Sequence, residues 1–196
     1  MITLYTCGAS PYSHSTRIVL AEKELPVEMF EVEPTDKPAK LLELNPYGKL
    51  PTLLDRDTVL FESTVVNEYL DERYPHPPLK PGSPAERAQM RLWVLRAHDE
   101  LYSLYFKLAE GEVKDETAQQ MQSYLEAMDV FLARQPYFVE GLYTLADVTV
   151  APILWRLPTI GVETSKMPNL EAYMDSLFER PAFERALSEH EQMMHG

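Results

Sequence analysis

Between Asn45 and Leu70 the chain reads NPYGKLPTLLDRDTVLFESTVVNEYL, and this stretch leaves little choice of local structure. Leu50 to Leu54 is a short apolar strand, Arg56-Asp57 is a two-residue hairpin turn, Thr58 to Phe61 is a second strand, and Ser63 opens a helix. Pro51 falls at the first position of a strand, where its missing N–H costs no ladder bond, and Leu50-Pro51 is a candidate cis peptide. Ser63 stands where strand gives way to helix. It is placed to cap the helix while leaving other N–H groups facing an incoming carboxylate.

The segments before this stretch extend the pattern. Ile2 to Thr6 is a first strand, and Ser10 followed by Pro11 reads as N-cap and first helical position. The helix that follows ends before Pro26. Val27 to Val32 is a second strand, and Pro34 to Leu44 holds a polar loop and a short helix ended by Asn45-Pro46. The order is βαβαββα over residues 1–76, a small mixed sheet covered by helices.

The composition then changes. Tyr74 to Pro84 reads YPHPPLKPGSP, with prolines at 75, 77, 78, 81 and 84, too many for a continuing helix or a central strand. Residues 77–84 are therefore expected to be a linker, and residues 85–196 an all-helical domain. Met90, Trp93, Val94, Leu101, Leu104, Tyr105 and Leu108 recur at mostly three and four, as do Met121, Tyr124, Leu125, Met128, Phe131 and Leu132. These stripes read as core. Thr144-Leu145-Ala146-Asp147 has the form of a capping box, and the apolar segment it opens should be the central helix.

A net charge of −13 argues against direct binding of nucleic acid or anionic membrane, which needs clustered Lys and Arg. Any link to transcription should pass through a protein partner. The single cysteine, Cys7, excludes an internal disulfide. The sequence opens directly into a strand, without a charged n-region or apolar h-region, and no apolar run is long enough to span a bilayer. The expected location is the cytoplasm.

The run NPYGKLPTL with Glu62-Ser63 resembles the glutathione-site half of the glutathione transferase superfamily, whose first domain is thioredoxin-like. The resemblance implies that Leu50, before the cis-proline Pro51, pairs its backbone with the cysteinyl part of glutathione. Glu62 and Ser63 would hold the γ-glutamyl end, with Lys49 near the glycine carboxylate. Thr144 to Asp147 and the run Pro168 to Leu187 also resemble this superfamily, so the likeness covers nearly the whole chain and implies the glutathione transferase fold.

Such a protein must hold the ligand sulfur as thiolate, which calls for a hydrogen-bond donor near a helix N-terminus. Ser10 occupies, by motif, the place where relatives carry a catalytic Ser or Cys before Pro. Its other reading is a plain N-cap, worth ~1 kcal/mol. Cys7 would form a mixed disulfide with glutathione in a glutaredoxin-like reductase, or is a buried small hydrophobe. Tyr5 is expected to pack. His14, with no acid beside it in the sequence, reads as a surface or capping residue, which argues against hydrolase chemistry. The five histidines show no metal-ligand spacing, so no metal is expected.

A second resemblance is narrower. YSH and RIVLAEK near the start, ESTVV and EYLDERYPHPPL in the middle, and APILWRLP in the last domain resemble the stringent starvation protein A family. That implies association with RNA polymerase, no transferase reaction, and a partner-binding surface at Tyr74, Pro75, His76, Pro77, Pro78 and Leu79. From Lys80 to Ser83 the chain departs from these relatives. The superfamily resemblance further implies a homodimer in which the helix from Ser63 meets the first long helices of the other subunit's second domain. Leu92 and Leu95, beside Met90, Trp93 and Val94, give that helix more apolar surface than one core stripe needs.

Overall fold

The computed structural model describes residues 2–111 and 114–195. They form two compact units, one reaching to Pro77 and resuming at Pro181, the other spanning Pro78–Arg180. The expectation that the helical domain runs on to 196 is thereby corrected. The chain from Pro181 belongs with the first unit because its side chains are buried against α1, where the Phe183 ring lies 5.1 Å from that of His14.

The first unit contains β1 (Ile2–Thr6), α1 (Pro11–Glu22), β2 (Val27–Glu31), α2 (Ala39–Leu44), β3 (Thr52–Asp55), β4 (Thr58–Phe61) and α3 (Ser63–Arg73). The four strands run in the order β2-β1-β3-β4. β1 is parallel to β2 and antiparallel to β3, and the β3–β4 hairpin closes at Arg56-Asp57. The βαβαββα order is as expected. Ile2, Leu4 and Tyr5 are buried on the central strand, while Ile18, Val19 and Leu20 bury the inner face of α1.

Two boundaries differ from the sequence reading. β2 ends at Glu31, although the Val32 N–H still donates to the Thr6 carbonyl at 2.8 Å. β3 begins at Thr52, because the preceding residues are drawn into a turn organised by the fully buried Asn45. The Asn45 Nδ2 donates to Thr52 Oγ1 at 2.9 Å and to the Lys49 carbonyl at 3.4 Å. Its Oδ1 accepts from the Tyr47 N–H at 3.1 Å. Pro51 follows this turn with a cis Leu50-Pro51 bond.

The second unit is helical. α4 (Pro84–Arg96) passes through a π-helical turn (Ala97–Tyr102) into α5 (Ser103–Glu110), followed by α6 (Lys114–Leu132), α7 (Leu145–Arg156) and α8 (Pro168–Phe178). Lys80 to Ser83 leads into α4 through a second capping box, Ser83 with Glu86. Met90, Val94, Leu101, Leu104 and Tyr105 are buried, as are Met121, Leu125, Met128 and Leu132. Trp93 is partly exposed and lies 4.8 Å from both the Phe131 and Phe138 rings. Two short helices of the first unit complete the chain, α9 (Pro181–Ala186) and α10 (Glu189–Gln192).

α7 is the central helix, buried from Leu145 to Leu154. Its capping box is formed as read: the Thr144 N–H donates to Asp147 Oδ2 at 2.8 Å, and Thr144 Oγ1 accepts from the Ala146 N–H at 3.2 Å. Asp147 also accepts from the Tyr173 hydroxyl at 2.8 Å and the Phe138 N–H at 3.3 Å. Burial pushes its carboxyl from 3.8 up to about 6, against the downward pull of these hydrogen bonds. The folded chain therefore holds this proton more tightly than the unfolded chain. The associated stability is fully present below about pH 3.8 and is lost as the pH rises through about 6. Urea unfolding across that range should show wild-type stability falling relative to Asp147→Asn by roughly 3 kcal/mol. A difference that is flat with pH would contradict this.

Candidate functional site

The first residues of α1 and α3 and the turn before β3 carry most of the predicted ligand-binding positions. Ser10 caps α1, its Oγ accepting from the Ser13 N–H at 3.4 Å with Pro11 at the first helical position. Here α1 offers partly positive backbone N–H groups beside a half-buried hydroxyl, the combination that favours a thiolate. Cys7 is buried. Its N–H donates to Ser13 Oγ at 3.1 Å and its carbonyl accepts from the Ser10 N–H at 3.2 Å. A mixed disulfide at Cys7 would require this loop to open. Tyr5 packs as expected, stacked on Phe30 with ring centroids 5.3 Å apart.

At the corner between β4 and α3, Glu62 takes φ 68°, left-handed backbone that L side chains rarely adopt. The expectation for Ser63 is corrected. Glu62 is the N-cap residue, Ser63 is the buried first residue of the helix, and the Glu62 side chain makes no cap hydrogen bond. It is paired with Lys49 instead, and both side chains are about half exposed. The hydrogen bond to Glu62 raises the Lys49 ammonium above its ordinary value. Leu50 is half-buried and Pro51 buried, so the turn organised by Asn45 carries Lys49 to Pro51 as one piece.

Sequence reasoning missed Tyr12. It lies on the first turn of α1, half-buried, and its hydroxyl is raised above 10.0 by burial and by Glu62, with Lys49 pulling the other way. The start of α1 and the Glu62–Lys49 corner thus share one electrostatic field. The only sequence signal was its position directly after Ser10-Pro11.

His14 is also corrected. It is wholly buried, with Nδ1 3.3 Å from Glu191 Oε1, and the acid that the neighbouring sequence lacks comes from the far end of the chain. Among the described residues no group of three or more His, Cys, Asp or Glu is placed to hold a metal ion, and no helix is long and apolar enough to cross a membrane.

In the proline-rich run, Tyr74 is half-buried with the Arg73 guanidinium 5.3 Å from its ring centre, and Pro75, His76, Pro77 and Pro78 are exposed. Lys23, buried in the first unit, bonds Asp71 at 2.6 Å and donates to the Pro77 carbonyl. Leu79 is corrected: it is buried in the second unit, and its carbonyl accepts from the Leu145 N–H at 2.9 Å. In the same unit Asp99 and Glu100 of the π-helical turn line a cavity of about 700 Å³ together with Arg96, Lys107, Glu116 and Tyr124. Burial raises the Tyr124 hydroxyl to about 12.

A mixed four-stranded sheet with a cis-proline before β3 and an acidic corner leading into α3, followed by a helical unit, defines a protein of the glutathione transferase fold. Accordingly, residues 9–73 match the glutathione S-transferase N-terminal domain family and residues 84–181 the C-terminal domain family. A stringent starvation protein A homolog from Coxiella burnetii is 42% identical over 97% of this chain and 93% of its own. Glutathione S-transferase 3 of Zea mays is 30% identical over 95% of this chain and 93% of its own. Among solved structures, a glutathione S-transferase from Methylobacillus flagellatus with glutathione bound superposes with a TM-score of 0.83 at 25% identity, covering 95% of this chain and 98% of that one. This chain belongs to the stringent starvation protein A family within the glutathione transferase superfamily.

The cap at Ser10 has a measurable energetic role apart from any chemistry. Ser10→Ala is expected to lower the unfolding free energy by about 0.5–2 kcal/mol, read from urea denaturation at neutral pH. An unchanged midpoint and slope would show that the hydroxyl is not acting as a cap.

Proposed function

We propose that this protein is a cytoplasmic, RNA polymerase-associated transcription regulator without transferase activity of its own. The observation that carries the reading is the exposed His76, set among the exposed Pro75, Pro77 and Pro78. Such a run loses little conformational entropy on binding, and the Lys23 anchor on the Pro77 carbonyl reduces the loss further. Membership of the stringent starvation protein A family supports it, since the resemblance implies a polymerase partner. The chain's charge of −13 favours contact through protein over contact through DNA. The surface comprises Tyr74 to Pro78, with Leu79 serving to anchor the segment behind it. Bacterial RNA polymerase passed over the immobilised protein should be retained, and retention should be lost with the double variant His76→Ala, Pro77→Ala. Absence of retention, or equal retention by the variant, would refute the reading.

A second reading is favoured by the geometry at Ser10: a working glutathione transferase in which Ser10 stabilises the thiolate and Lys49, Leu50, Pro51, Glu62 and Ser63 hold glutathione. It requires conjugation of an aryl halide at millimolar glutathione, abolished by Ser10→Ala. Glutathione binding without conjugation would instead fit a regulator that keeps the ligand site.

The protein is further proposed to act as a two-fold dimer. Leu92 and Leu95 of α4 and Val65 of α3 are each more than half exposed in the single chain, so the surplus apolar surface of α4 does not serve as a thicker core. An isologous interface would cover it and bring Asp99 towards the partner's glutathione site. Sedimentation at micromolar concentration should give twice 22.5 kDa, and Leu92→Glu with Leu95→Glu should give the monomer. A wild-type monomer would rule the dimer out.

A further inference from the structure

The loop from Cys7 to Ser10, which delivers Ser10 to the start of α1, is held from a part of the chain that no ligand motif includes. We infer that Arg17, Ser188 and Glu191 are positioning residues for this loop, so that the last turns of the chain are a working part of the candidate site.

The argument starts from Glu191, on a four-residue helix at the end of the chain yet fully buried. A buried carboxylate needs a charge partner and hydrogen bonds. Its Oε2 lies 2.6 Å from Arg17 Nη2 and accepts from the Ser188 N–H at 2.9 Å, and its Oε1 faces His14. Arg17, itself buried, donates from Nε to the Ala186 carbonyl at 2.8 Å. Its Nη1 donates to Thr6 Oγ1 at 2.7 Å and to the Cys7 carbonyl at 3.3 Å. Ser188 reaches the loop directly, its Oγ donating to the Gly8 carbonyl at 2.9 Å while accepting from the Glu191 N–H at 3.2 Å. Two successive loop carbonyls are thus fixed by side chains whose own geometry depends on Glu191.

Gly8 supplies independent support. A Cβ there would displace the exposed end of the Glu31 side chain and come within 3.2 Å of Ser188 Oγ and 3.3 Å of its Cβ. The loop backbone runs close against Ser188, which would have to give by a few tenths of an ångström to admit another atom. Ser10 follows two residues later, its N–H on the Cys7 carbonyl that Arg17 also holds.

The consequence for Ser10 as a thiolate stabiliser rests on the second reading above, but the restraint on the loop does not. Cys7, as the single cysteine, reports on the restraint. Alkylation of Cys7 by iodoacetamide would be followed in wild type, in Ser188→Ala, in Glu191→Gln, and in Glu189→Gln, which makes the same charge change at an exposed position of α10. Ser188→Ala and Glu191→Gln are expected to react at least about tenfold faster, a change of about 1.4 kcal/mol in opening free energy. The accelerated rate should be nearly independent of low urea concentrations, as for local opening, and Glu189→Gln should match wild type. Unchanged rates in Ser188→Ala and Glu191→Gln, or acceleration that follows global unfolding in urea, would overturn the inference. Calorimetry with glutathione separates the two claims: no binding by wild type removes the glutathione reading alone, while the alkylation rates decide the positioning role.

Discussion

A guanidinium enclosed in a protein must find acceptors for its donors, because the cost of burying them unmet exceeds what most packing contributes. In the first unit Arg17 meets this demand by drawing on the end of β1, the loop after it, the end of α9 and the acid of α10. Those segments come from opposite ends of the sequence, so the unit is one body only once Glu191 has arrived. The hydrophobic contacts between α1 and α9 favour the docking, but they are non-directional. The fork of Arg17 sets the position.

The same logic recurs at smaller scale. Asn45 spends its donors on Thr52 and Lys49 and accepts from Tyr47, which converts a short loop into a fixed turn leading to Pro51. Lys23 holds the end of α3 through Asp71 and the start of the proline-rich run through the Pro77 carbonyl. Asp147 gathers the N-terminus of α7, the Phe138 backbone and the Tyr173 hydroxyl. Each is a buried polar group whose partners lie on different elements, and each fixes a place where the chain changes direction. Apolar burial accounts for the compactness of each unit, and these few polar groups account for its precision.

Legibility in the sequence divides along the same line. The strands, the hairpin at Arg56-Asp57, the cap at Ser10 and the Thr144–Asp147 box were readable because their signals lie within a few residues of where they act. The partner of His14 was not, since nothing near residue 14 announces an acid at 191. Leu79 was misjudged for a related reason: among prolines it resembles part of an exposed run, and its burial comes from Leu145 and the core beyond. Tyr12 escaped notice because its relation to Glu62 and Lys49 exists only after α1 and α3 have packed. The resemblance named candidate ligand positions from local motifs, but the groups that hold those segments steady lie outside any motif.

The π-helical turn at Ala97–Tyr102 joins α4 and α5 into one uninterrupted rod with a phase break in the middle. One extra residue in such a turn rotates everything after it by about 100° relative to a regular helix. The outward side of α4, with Leu92 and Leu95, is therefore not the side that α5 continues, although no loop separates them. A mutation that reshapes one outer surface leaves the other in register with its own neighbours. The two halves of a single helix can then drift in sequence as separately as two elements would.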